Sequence, residues 1–192
     1  MAEVLLFHHA QGLTAGVVAF ADELRGHGHT VHTPDLYAGN TFDTLDDGVG
    51  YASQVGFGTL MEAGVRAADE HGTGLVYIGM SLGVMPAQRL AQTRPGATGA
   101  VLLYSCLPVT EFGKTWPSGV PVQVHGMDQD PIFAEEGDLD AARELVASDA
   151  EAELFVYPGS QHLFADSSLP AYDAASAALL TSRVVQFLAA IG

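Results

Sequence analysis

Leu75-Val76-Tyr77-Ile78-Gly79-Met80-Ser81-Leu82-Gly83 is the stretch on which the reading of this chain turns. Four apolar residues make a buried strand, G-x-S-x-G follows at once, and an amphipathic segment comes next. That order describes a strand, a sharp elbow that presents a serine, and a helix. The turn is too tight for side chains at its flanking positions, so Gly79 and Gly83 let the backbone fold back and lift the Ser81 hydroxyl clear of the sheet. The Leu82 amide then falls at a helix N-terminus, where a donor and the helix dipole can meet an oxyanion. With 22 glycines in 192 residues, the pentapeptide also fits a glycine-rich turn whose serine merely caps the helix. An acid and a base elsewhere in the chain have to decide between the two.

Outward from the elbow, apolar runs predict further strands at 4–7, 30–33, 100–104, 120–125 and 153–157. Helical spacing is carried by Val17, Phe20, Ala21 and Leu24, and again by Phe57, Leu60, Met61, Val65 and Ala68. Leu82, Met85 and Leu90 face inward on the helix after the elbow. Leu139, Ala142, Leu145 and Val146 do so on a helix over 138–148, and a closing helix runs over 172–191. Residues 34–50 form a loop long enough to be functional, and 105–118 is irregular around Trp116. Strands alternating with helices, several of them apolar throughout, imply an α/β fold. The expected architecture is a three-layer, doubly wound, mostly parallel sheet of about six strands in one domain over 1–192. Sites in such sheets lie at the carboxyl ends of the strands, where His8, Ser81, Tyr104, His125, Asp130 and His162 all fall.

Composition narrows the classes. Seven Lys+Arg against 23 Asp+Glu give a net charge of −16, with Lys114 the only lysine. Nucleic acid and anionic membranes are thereby disfavoured as partners, since both need a basic surface. Cys106 stands alone, which excludes an internal disulfide and suits a reducing compartment. No targeting segment is expected, and the apolar stretch 178–191 is interrupted by Ser182, Arg183 and Gln186, so it reads as amphipathic rather than membrane-spanning. These points together predict a cytoplasmic protein, monomeric or a small homo-oligomer.

A serine hydroxyl is a weak nucleophile until an imidazole takes its proton, and a carboxylate must orient that imidazole. After Ser81 the chain offers Asp128 or Asp130, behind the fifth strand, and then His162, in the loop between the last strand and the last helix. Asp130 is preferred because Pro131 restricts its backbone to extended conformations and so pins the loop. His8, His9, His125 and His162 match no metal-ligand spacing and no thiolate joins them, so no metal is expected. Tyr37, Trp116, Met127 and Phe133 are candidates either for lining a substrate pocket or for plain packing. His9 is a candidate pocket polar group. Cys106 reads as a small apolar filler, and Glu135, Glu136, Asp138 and Asp140 as a solvated helix start.

Five segments taken in order resemble the dienelactone hydrolase family of α/β-hydrolases: VLLFHHAQGL at 4–13, TPDLYAG at 33–39, GMSLG at 79–83, VHGMDQDPIF at 124–133 and YPGSQHLF at 157–164. The resemblance implies a minimal α/β-hydrolase with a triad of Ser81, Asp130 and His162. It also implies an oxyanion hole formed by the backbone amides of Leu82 and Ala10, and it implies no cofactor. The family's G-x-x-D spacing from Gly126 lands on Gln129, so either aspartate needs a one-residue slip. Three departures bear on substrate. Ser81 stands where founding members carry cysteine, His9 stands where they carry a glutamate, and Asp166 stands where they carry a carboxylate-binding arginine. The expectation is a serine hydrolase acting on a small ester or lactone other than dienelactone. A thioesterase or peptidase on the same fold, or a binding protein without turnover, are the rivals.

Overall fold

Glu3–Phe7 (β1), Thr30–His32 (β2), Leu75–Met80 (β3), Gly99–Leu103 (β4), Val122–Met127 (β5) and Ala152–Tyr157 (β6) form one sheet. Every pairing is parallel, in the order β2-β1-β3-β4-β5-β6, in a computed structural model that describes residues 1–148 and 151–192. Among the described residues the helices are α1 (Ala15–Gly26), α2 (Leu45–Val55), α3 (Phe57–Ala68), α4 (Val84–Thr93), α5 (Pro131–Glu135), α6 (Asp138–Ser148) and α7 (Ala174–Ile191).

β3, β4 and β5 are buried at every position, which is why they read as continuous apolar runs instead of alternating ones. Their side chains still alternate between the two faces. Val4, Leu6, Val76, Ile78, Val101 and Leu103 pack under α1 and α7, against Val17, Phe20, Leu24, Leu180, Val184 and Leu188. Leu5, Phe7, Tyr77, Leu102 and Val124 pack on the opposite face under α3, α4 and α6. α7 is long and apolar enough by composition to cross a membrane, but it buries Leu180, Val184, Phe187 and Leu188 in this core.

The chain winds from β1 out to β2 and then crosses back to β3, so strand order reverses between β1 and β3. Crevices above such a reversal are where open α/β sheets bind ligands. Phe7 pairs with Gly79 across it, which brings the loop after β1 alongside the elbow after β3.

Several local expectations give way to context. The 34–50 loop ends at Thr44, whose hydroxyl caps α2 by accepting from the Asp47 amide. Gly48 and Gly50 weaken the helical pattern there. Gly48 is required because a Cβ would overlap the Ala10 carbonyl. α5 is only five residues long and opens on Pro131. The fifth strand starts at Val122 rather than 120 and runs on through Gly126 and Met127. Val146 points outward and Met85 is only half-buried, because α6 and α4 each present a narrower stripe to the sheet than their sequences suggest.

Candidate active site

Ser81 follows an extended Met80 and takes φ 50°, a left-handed conformation that costs a non-glycine residue about 1–3 kcal/mol. A 3-10 turn over Ser81–Gly83 leads into α4. Neither flanking glycine has positive φ; the two are needed for close approach. A Cβ on Gly79 would overlap the Gly83 carbonyl, and one on Gly83 would overlap the Phe7 carbonyl. The strain sits on the serine, which is lifted out of the sheet to meet its neighbours.

Those neighbours arrive from β5 and β6. The Ser81 Oγ lies 2.8 Å from His162 Nε2, and His162 Nδ1 lies 2.6 Å from Asp130 Oδ2. Asp130 is buried, has φ −69° and ψ 113°, and caps α5 by accepting from the Ile132 amide at 3.0 Å through its other oxygen. Its extended backbone is the one Pro131 imposes. Asp128 faces solvent instead and accepts the Gly159 amide at 3.0 Å. The two aspartates differ in aim: the buried Asp130 reaches the imidazole, and the exposed Asp128 buckles the loops together.

The loop carrying His162 is held on several sides. The Gln129 amide donates to the Gly159 carbonyl at 2.9 Å, and the Gln161 amide to Met127 Sδ at 3.3 Å. The Ala165 amide donates to the Tyr104 hydroxyl at 3.2 Å. Tyr104 is wholly buried with φ 69°, and its ring sits 5.9 Å from that of His162. Burial drives its phenol pKa upward, so it stays a neutral prop.

Ala10 and Leu82 are both buried and share one apolar cluster with Tyr37, Ala52 and Leu60, bordered by Leu36, Phe42, Tyr51 and Met85. The expected pocket residues fare differently. His9 is fully buried and hydrogen-bonds Asp166, so it does not line a cavity. Tyr37 is also buried and packs edge-on against His8 and Tyr51, its phenol pushed by burial up to about 12. Trp116 and Phe133 belong to the α3/α4/α6 core, where the Trp116 indole donates to the Val120 carbonyl. Met127 is in the opposite core, beneath the His162 loop. Phe42 and Tyr51, which the sequence did not single out, and Met85, read as an inward-facing core residue, are among the half-buried apolar groups packed on the cluster that holds Ala10 and Leu82. Asp138 is no mere solvated helix start either, since it accepts the Cys106 amide at 2.8 Å and the Ser105 hydroxyl.

The other histidines do not converge on the serine. His8 donates from Nδ1 to the His9 carbonyl at 2.8 Å and accepts the Leu36 amide at Nε2, and burial lowers its pKa to about 4. His125 bonds the Tyr157 hydroxyl at 2.8 Å and Gln123, and burial lowers it to about 3. Far from the elbow, Glu3, His32 and His71 each place a possible ligand atom within 4.8 Å of the others. The two rings stack there at 4.0 Å and 28°, and His32 Nε2 is hydrogen-bonded to Glu3 Oε1 at 2.9 Å.

The chain resembles solved structures over its full length. A dienelactone hydrolase-like promiscuous phosphotriesterase from metagenomic libraries shares 19% identity at a TM-score of 0.74, covering 100% of this chain and 87% of that one. A dienelactone hydrolase from Anabaena variabilis ATCC 29413 shares 18% at 0.69, covering 99% and 87%. A monoacylglycerol lipase from Paleococcus ferrophilus shares 15% at 0.68, covering 99% and 94%. No curated protein sequence matches. The model of the dienelactone hydrolase family matches residues 1–192. The chain belongs to the dienelactone hydrolase family, within the α/β-hydrolases.

Proposed function

We propose that this α/β-hydrolase is a serine hydrolase that cleaves small, uncharged carboxylic esters or lactones through an acyl-enzyme. The observation that carries this reading is the unbroken chain from Ser81 Oγ to His162 Nε2 at 2.8 Å and from His162 Nδ1 to Asp130 Oδ2 at 2.6 Å. His162 takes the Ser81 proton as Oγ attacks the ester carbonyl, and Asp130 keeps the imidazole in the tautomer that can accept it. The carbonyl electron pair moves onto oxygen, where the amides of Leu82 and Ala10 receive it. When the intermediate collapses, the alcohol leaves with the proton from His162. A water deprotonated by the same imidazole then hydrolyses the acyl-serine, returning the acid and free Ser81.

Two features favour an uncharged substrate. The apolar cluster beside Ala10 and Leu82 suits an acyl chain, and position 166 carries a carboxylate that accepts hydrogen bonds from its own neighbours. A fluorophosphonate probe tests the reading: labelling at Ser81 at neutral pH, lost in Ser81→Ala and His162→Ala, is expected. Hydrolysis of p-nitrophenyl esters should fall on the order of 10⁵-fold in Ser81→Ala. No labelling of the folded protein would favour a binding role, and a panel of esters, thioesters and amides separates the hydrolase classes.

A further inference from the structure

Two loops supply the groups used above. The one between β1 and α1 carries Ala10, and the one between β6 and α7 carries His162. They are joined by a buried pair that the reaction itself does not use. His9 Nε2 lies 2.8 Å from Asp166 Oδ2, between residues 157 apart in sequence and both shut off from solvent. The Gln11 amide donates to His9 Nδ1 at 3.2 Å, so that nitrogen carries the lone pair and Nε2–H is the donor to Asp166. With both nitrogens engaged, His9 is neither an acid nor a base toward a substrate.

Asp166 is saturated. Besides His9 it accepts the Thr14 hydroxyl, the Ser168 amide at 2.8 Å and the Ser168 hydroxyl at 2.6 Å. Burial alone would raise its pKa, but these bonds outweigh burial and bring it down to about 2, so it stays ionised. Gly16 completes the fit, because a Cβ there would overlap the carboxylate, and its amide donates to Ser168 Oγ at 3.1 Å.

The consequence falls on Ala10. The Gly12 amide bonds the His9 carbonyl at 3.0 Å, the Phe42 amide bonds the Gln11 carbonyl at 3.0 Å, and Gly48 packs against the Ala10 carbonyl. Neighbouring groups on both sides of Ala10 are thus pinned, while its own amide donates to no protein acceptor among the described residues. We propose that His9 and Asp166 are positioning residues that hold the Ala10 amide toward the Ser81 elbow and tie it to the His162 loop. This rests on the reading of Ala10 as an oxyanion donor. Preorganised donors act without reorganising during reaction, so loosening one should cost turnover rather than ground-state binding.

The test compares Asp166→Asn, His9→Asn and His9→Gln. Asp166→Asn sets an amide against either His9 and Thr14 or Ser168. His9→Asn can still accept from Gln11 but cannot reach Asp166, whereas His9→Gln places a donor nitrogen where Nε2 was. The first two should lower kcat for a p-nitrophenyl ester about tenfold or more, with KM changed less than about twofold. Affinity for a trifluoromethyl ketone, which forms a tetrahedral oxyanion on serine, should fall by the same factor, and His9→Gln should recover most of the loss. Unchanged kcat in a folded Asp166→Asn, or lowered kcat with unchanged ketone affinity, would overturn the proposal. Hydrogen exchange over residues 8–13 reads loop order without turnover. Faster exchange in Asp166→Asn supports the proposal and unchanged protection overturns it, even if the unaltered chain neither labels nor hydrolyses and the hydrolase reading itself has failed.

Discussion

Asp128 and Asp130 are two residues apart and chemically identical, yet only one reaches His162. Asp130 Oδ2 is 2.6 Å from the imidazole in a buried setting, while Asp128 binds the Gly159 amide at the surface. A buried carboxylate that fixes a tautomer has large leverage on turnover, and a surface loop clasp has little. Asp130→Asn should therefore lower kcat about 10⁴-fold, as measured on p-nitrophenyl esters. Asp128→Asn, whose amide oxygen can still accept from Gly159, should stay within about threefold. Equal losses in the two variants would mean that the acid acts through the loop and not through the imidazole.

The elbow is where an element, not a residue, carries the design. β3 ends under strain at Ser81, and the strain persists because Gly79 and Gly83 allow the neighbouring backbones to close around it. Gly83→Ala should destabilise the fold by about 1–3 kcal/mol, since its Cβ would press on the Phe7 carbonyl of β1, which is paired on both sides. Gly26, at the end of α1, has open space where a Cβ would stand and no positive φ. Gly26→Ala should gain about 0.5–1 kcal/mol. Urea unfolding of both variants checks the contrast. The periodicity of α1 was readable because its one apolar stripe lies against the sheet, whereas Phe57 in α3 and Val146 in α6 fit the helical spacing yet stand exposed. That of α2 was not readable, because Gly48 and Gly50 erase the local helical signal, and Gly48 is there for a close contact with the distant Ala10 carbonyl.

At the scale of the whole molecule, acid should be the weak side. His8 and His125 are held neutral by burial, with pKa values of about 4 and about 3, while the unfolded chain protonates both near 6.5. The unfolded state then binds more protons as pH falls below about 6.5. Stability is complete above that value and is lost toward pH 4 at up to about 2.7 kcal/mol per pH unit, one proton for each histidine. Asp166 adds to the same trend only below its ordinary range, because its lowered pKa keeps it ionised until about pH 2. Urea unfolding between pH 7 and pH 5 measures the slope. His125→Gln, able to keep a hydrogen bond to Tyr157 or Gln123, should reduce it by about one proton.

What the sequence determined by itself is whatever local chemistry dictates. Buried runs such as 75–78 and 100–103 require a sheet covered on both faces, and the spacing of Gly79, Ser81 and Gly83 permits a tight strand-to-helix turn. Pro131 sets the backbone of the residue before it. Burial and aim depend on partners far along the chain, and only the tertiary structure decided those. His9 reads from sequence as a pocket group and becomes a buried strut because Asp166, 157 residues later, meets it. Tyr37, Trp116 and Met127 carry the same apolar surface whether they face a substrate or a core, and packing assigned all three to the interior. Aromatic and sulfur side chains satisfy either environment, so nothing in their own chemistry could settle which one they occupy.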